Sequence, residues 1–139
     1  MTFSFSEINL WAVLVSAVAS FMVGGVWYGL VFAKTWVSVH GFSEDQVASM
    51  ARKQGRNFAI FFATDLVMAT VISVLAVNLG VASALQGAGL GLLLWVGLSA
   101  TTGAAKNAAC NRSLSAYLID GGHELAALLV MGLIIGAWR

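Results

Sequence analysis

Four long apolar stretches, separated by short segments that hold most of the charge, constrain this chain more than any other feature. Each has about 20 residues, the length that an α-helix needs to cross the apolar core of a bilayer. A helix also satisfies its own backbone hydrogen bonds in lipid, and no stretch shows the alternation of a barrel strand. We therefore predict an all-α integral membrane protein, a four-helix transmembrane bundle that forms one domain over residues 1–139. The predicted spans are residues 9–32, 58–79, 86–106 and 114–138.

Composition excludes several classes of function. The chain is 60% hydrophobic and 9% charged, whereas a soluble domain usually has about 25% charged residues. A formal net charge of +1 gives no basic surface for nucleic acid, so the predicted partner is the lipid bilayer. The single cysteine, Cys110, cannot form an internal disulfide. His123 has no serine or cysteine beside it in the sequence, so we expect neither an enzyme nor a bound cofactor.

The placement of basic residues predicts an orientation. Lys34, Arg52, Lys53 and Arg56 lie between the first two spans, and Arg112 precedes the fourth. The loop over residues 80–85 has no basic residue. Because cytoplasmic loops carry the excess of Lys and Arg, we expect both termini outside and the basic loops inside a bacterial inner membrane. Residues of the types that anchor helices at the membrane interface are Trp11, Trp27, Tyr28, Lys34, Trp36 and Trp138.

The first basic loop contains the signature of a helix start. Ser43 and Gln46 have the spacing of a capping box. Val47, Met50 and Ala51 would share one apolar face of the helix that follows. We predict a short inner amphipathic helix on the membrane surface, with a plain extension of the second span as the alternative.

Glycine pairs four residues apart give three spans a small-residue face that allows close helix packing. Such faces pack helices within a chain or between chains, and we expect a homo-oligomer that uses them. The pairs are Gly25 with Gly29, Gly87 with Gly91, and Gly132 with Gly136.

Ionisable residues inside the predicted spans are the strongest indication of a site. A charge at the centre of a bilayer costs about 2.5 to 3.5 kcal/mol on insertion scales, so such residues usually have a function or a partner. Those of the second and fourth spans lie at similar depth, and the polar end of the third span lies on the same side. The predicted ligand-binding or ion-binding set is Asp65, Lys106, Asn107, Tyr117, Asp120, His123 and Glu124.

Three interpretations of this polar set remain open. It forms a pocket on the inner side that binds or passes a small ion or solute, or it is a buried salt-bridge cluster of a scaffold protein, for example Lys106 with Asp65 or Asp120. The third alternative is a membrane enzyme that acts on a lipid-like substrate. We expect no metal, because His123 has no second histidine near it in the sequence and His40 lies in the inner loop.

Several segments resemble a known family. They are WYGLVFAKTW at residues 27–36, GFSED at 41–45, WVGLSATTGAAKN at 95–107 and LIDGGHELAALLVMGLIIGAW at 118–138. Together they resemble a bacterial family of small four-helix membrane proteins, the domain of unknown function 1761. The chain departs from that pattern in having no proline after the Trp-Tyr pair, and Ala33 where a glycine is expected. The resemblance implies a four-helix bundle in a bacterial inner membrane and brings no established activity or catalytic residue.

Overall fold

The computed structural model describes residues 3–138, so Met1, Thr2 and Arg139 of the predicted domain lie outside the described part. Within that part the chain is helical and contains no strand. Four of its helices are long and apolar enough to cross a membrane: Leu10–Val31, Gln54–Asn78, Ala84–Ala109 and Leu114–Ala137. The predicted all-α class with four potential membrane spans is thereby confirmed.

Two of the four spans are not continuous α-helices. The first span consists of α1 and a π-helical segment, the second is α4, the third consists of α5, a second π-helical segment and α6, and the fourth is α7. The bounds are α1 Leu10–Val26, π-helical Trp27–Val31, α2 Ala33–His40, α3 Glu44–Arg52, α4 Gln54–Asn78, α5 Ala84–Leu94, π-helical Trp95–Ala100, α6 Thr101–Ala109 and α7 Leu114–Ala137.

The fourth span is the centre of the bundle, because it packs against the three other spans and also against α2. Its side chains Met131 and Ile135 are buried in the apolar core together with Ile72 of the second span and Leu90 of the third. A polar group on α7 can therefore meet groups from each of the other three spans and from α2.

The third and fourth spans meet along a glycine seam. A Cβ added to Gly87 would collide with the backbone carbonyl of Gly132, and one added to Gly91 would collide with that of Leu128. A Cβ added to Gly136 would collide with the backbone carbonyl of Ser83 and would lie 3.0 Å from the Cα of Gly87. These two glycine pairs therefore serve packing inside the chain and are not available for the predicted homo-oligomer. Around the Gly25 and Gly29 pair there is open space.

The linker between the first two spans contains two helices. The predicted short helix is confirmed: Ser43 Oγ accepts from the Gln46 backbone N–H at 3.2 Å, and the Gln46 side chain accepts from the Ser43 N–H at 2.8 Å. This α3 is separate from α4, and Lys53 lies between them. The preceding helix α2 was not predicted, and it ends at Gly41, which has the left-handed φ of 66° that glycine adopts without strain.

Candidate functional site

Asp120 on α7 is surrounded by hydrogen-bond donors from the first span and from α2. Its Oδ1 accepts from the Tyr28 hydroxyl and from the Trp36 indole N–H, each at 3.0 Å. Its Oδ2 lies 2.9 Å from Nε2 of His40. We call these four residues the Asp120 cluster. Since both oxygens are hydrogen-bonded, this carboxylate is well compensated within the protein.

Local backbone geometry brings these donors together. The π-helical turn at the end of the first span is closed by the bond from the Phe32 N–H to the Trp27 carbonyl, at 2.8 Å. Such turns contain one more residue than an α-helical turn and often occur at functional sites. On α2, Trp36 and His40 are four residues apart and lie on one face, since helical neighbours at that spacing are adjacent. That face packs on α7.

The hydrogen bonds of His40 determine how many protons its pair with Asp120 holds. Nδ1 of His40 lies 2.9 Å from the carbonyl oxygen of Trp36. A carbonyl only accepts, so Nδ1 carries a hydrogen. A hydrogen bond between Nε2 and Oδ2 then needs a second proton, on the imidazole or on the carboxyl group. In either form the pair has no net charge, which lowers the cost of placing it in an apolar bundle.

Two indoles bind the backbone on either side of Asp120. Nε1 of Trp27 donates to the Ile119 carbonyl at 3.0 Å, and Nε1 of Trp95 donates to the Gly121 carbonyl at 2.8 Å. Each tryptophan is the first residue of a π-helical segment and begins the same pattern, Trp-x-Gly-Leu. The first and third spans therefore hold this turn of α7 from two sides.

Glu124, one turn further along α7, has a different environment. Ser99 of the third span donates to its Oε2. Among residues 3–138 the Glu124 carboxylate has no cationic partner and no other hydrogen bond. The side chain borders two cavities. The polar cavity, of about 140 Å³, is lined by Gly103, Lys106, Asn107, Arg112, Tyr117, Asp120, Gly121 and Glu124.

The second cavity is a mainly apolar crevice of about 480 Å³ between the second, third and fourth spans. Met68 and Val71 form part of the wall from the second span, and Leu94 and Leu98 form part of it from the third. Ser99, Thr102, His123 and Glu124 are the polar residues at its edge. Glu124 therefore lies where a polar opening and an apolar crevice meet.

His123 lies between the two carboxylates in sequence but belongs to neither hydrogen-bond network. Its ring packs against Tyr28, with centroids 4.9 Å apart. Its Nε2 is buried and has no hydrogen-bond partner in the part of the chain that the structure describes. A Cβ on Gly24 would lie 3.1 Å from that nitrogen, so the glycine provides the space for the ring.

The structure brings most of the predicted site residues together, with one exception. Lys106, Asn107, Tyr117, Asp120 and Glu124 all line the polar cavity. His123 lines the adjoining crevice. Asp65 does not join them, because its Oδ1 accepts from the Ser20 hydroxyl at 3.0 Å and so faces the first span. Equal depth in the membrane stays a prediction, and the direction of the side chain around α4 separates Asp65 from the rest.

The salt bridges proposed for Lys106 are not present. Among residues 3–138 the contact between a basic and an acidic side chain is that of His40 with Asp120, and neither Asp65 nor Asp120 pairs with Lys106. The placement of His40 in a loop away from the site was also wrong. Its contact with Asp120 joins residues 80 positions apart in sequence. The four-residue spacing from Trp36 to His40, ended by Gly41, was the signal that a helix presents both side chains together.

The aromatic residues predicted as interface anchors divide into two groups. Trp27, Tyr28 and Trp36 use their polar atoms to bind α7, so these atoms are not left for lipid headgroups. Trp11 and Trp138 have exposed side chains, as does Lys34, and anchoring by these three stays a prediction. The described residues contain no group of three or more His, Cys, Asp or Glu side chains placed to hold a metal.

These features define a class: a helical membrane protein with four potential spans, whose last span carries one fully bonded carboxylate and one open carboxylate. Residues 11–136 match the family described as "Protein of unknown function (DUF1761)". The chain belongs to this family. Searches of curated proteins and of solved structures give no match.

Proposed function

We propose that the chain is a non-enzymatic membrane protein that binds a small solute at Glu124 and uses the Asp120 cluster to hold the site in place. The single observation that supports this proposal is the contrast in bonding. Both oxygens of Asp120 are occupied by protein donors, whereas Glu124 has one serine donor and borders two cavities. An ionisable side chain inside a span usually marks a pathway or a ligand site, and of the two carboxylates on α7 Glu124 is the one with bonding capacity left.

The polar cavity gives the proposed solute a route from one side of the membrane. Lys106 and Arg112 line it near the ends of the third and fourth spans, where the chain turns back. Arg112 belongs to a basic loop and Lys106 lies in the last turns of the third span beside it, the side that the positive-inside rule assigns to the cytoplasm. In this proposal the site opens inward, both termini lie outside, and the membrane is a bacterial inner membrane.

Cysteine labelling tests whether water reaches Glu124. Cys110 is exposed and is first replaced by serine. Glu124→Cys, reconstituted in liposomes, is then treated with a membrane-impermeant cationic thiosulfonate. If the polar cavity is open, the Glu124→Cys variant reacts at least about tenfold faster than Leu118→Cys. Leu118 is a suitable control because it lies on the same helix, nearer the basic loops, and is 58% exposed on the apolar surface. Equal and slow reaction of both cysteines would contradict the proposal.

A second function, a scaffold with no ligand, is favoured by the Asp120 cluster itself. Its hydrogen bonds join the first span, α2 and the fourth span, as a purely structural polar cluster would. The labelling result separates the two functions. A scaffold needs no water at Glu124, so an unreactive Glu124→Cys variant supports it.

A further inference from the structure

The crevice between the second and third spans is the part of the molecule that the proposed function leaves unexplained. Its walls are apolar, and the second and third spans make few contacts with each other, so the crevice opens sideways toward the lipid. A volume of about 480 Å³ lies within the range of about 300 to 1,000 Å³ that is typical of small-molecule sites. A ligand that fits there must be largely apolar.

We propose that this crevice binds an amphiphilic organic cation that enters from the bilayer and places its charge against Glu124. The inference rests on the proposed function, since it names the ligand class for the same carboxylate. An amphiphilic ligand also accounts for the apolar walls of the crevice, because a small hydrophilic solute would gain nothing from contact with them.

Charge complementarity selects the cation. Glu124 borders the crevice without a lysine or arginine partner among the described residues. Lys106 and Arg112 line the polar cavity but not the crevice. His123 is the other ionisable residue of the crevice wall. An uncompensated carboxylate in apolar surroundings is costly, and a cationic ligand removes that cost.

Other occupants fit less well. A lipid acyl chain would fill the crevice but leave Glu124 uncompensated. An anionic amphiphile would be repelled by the same carboxylate. A strongly hydrated cation such as Na⁺ would lose its water shell against walls formed by Met68, Val71 and Leu98.

Binding of tetraphenylphosphonium to the full chain in phosphatidylcholine nanodiscs tests the inference. We expect saturable binding by the wild type and at least about tenfold weaker binding by Glu124→Gln, as measured by equilibrium dialysis. Val71→Trp should weaken binding at least about fivefold, because it fills the crevice without changing charge. Val71 is 51% exposed, so the larger ring is tolerated. Glu44→Gln, the same substitution on the exposed helix α3, should bind as the wild type does.

Tetraphenylborate, an anion with the same four rings, is the control for charge. Helix content by circular dichroism shows that each variant is folded. The inference is overturned if the wild type binds tetraphenylborate as tightly as tetraphenylphosphonium, if Glu124→Gln keeps full affinity, or if no saturable binding is seen. If tetraphenylphosphonium does not bind in this way but the Glu124→Cys variant is labelled rapidly, the lipophilic cation is refuted and the small-solute proposal is retained. If labelling is slow but tetraphenylphosphonium binding depends on Glu124, the open polar route is contradicted and entry of the ligand from the lipid is supported.

Discussion

Asp120 and Glu124 are carboxylates one helical turn apart on the same span, yet their surroundings are opposite. Asp120 accepts hydrogen bonds from Tyr28 and Trp36 and pairs with His40. Glu124 has only a serine donor among the described residues and is exposed. The comparison shows that depth in a span does not decide what an acidic residue does. The surroundings of the acidic residue depend on the neighbouring helix, because that helix either supplies hydrogen-bond donors to the carboxylate or leaves a cavity beside it.

The two sides of the third span show the same contrast. Toward the fourth span, glycines allow the backbones to meet with no space for a side chain. Toward the second span, bulky side chains line an open crevice. The fourth span is thus fixed where the Asp120 cluster and the glycine seam hold it, and a cavity remains where neither is present.

The largest effect is expected from Asp120→Ala, compared with Glu124→Ala. Removing Asp120 leaves the Tyr28, Trp36 and His40 donors without their acceptor, which should lower the free energy of unfolding by about 4 kcal/mol. Glu124→Ala removes one serine bond and should change it by less than about 1 kcal/mol. Unfolding in mixed micelles, followed by circular dichroism, measures both. Equal losses would break the comparison.

The glycine seam should give the next largest effect. Gly132→Val places a branched side chain against the carbonyl of Gly87, so the third and fourth spans must separate. We expect a loss of about 3 kcal/mol in the free energy of unfolding. Gly25→Val is the matched control, since nothing lies within 4 Å of a Cβ there. If both substitutions cost the same, the loss reflects helix propensity and not packing.

A smaller effect is expected from Trp95→Phe, which keeps an aromatic ring and removes the indole N–H that donates to Gly121. The loss of one such bond should cost about 1 kcal/mol. Trp11→Phe, at a side chain that is 68% exposed, should cost less than half of that. The same micelle titration compares them, and a neutral Trp95→Phe would show that the bond from the third span does not stabilise this turn of α7.

Features that depend on a few neighbouring residues were predictable from the sequence. The length of the apolar stretches predicts the four potential spans, and the spacing of Ser43 and Gln46 predicts the start of α3. Features that depend on the direction of a side chain were not. Asp65 faces Ser20 and not the polar cavity, and His40 meets Asp120 only because α2 folds back onto the fourth span. Neither direction follows from hydropathy. The rotation of α4 about its axis is set by its packing, and the π-helical turn before α2 changes the angular position of the residues that come after it.

Because of the π-helical turn at Trp27–Val31, the number of residues in this segment matters as well as their identity. It contains one residue more than an α-helical turn. Deleting one residue there would leave an α-helical turn and keep the direction of the residues beyond it, whereas inserting one would rotate everything beyond it by about 100°, the angle between successive residues of an α-helix. Trp36 and His40 would then face away from the fourth span, although every side chain of the Asp120 cluster would still be in the sequence.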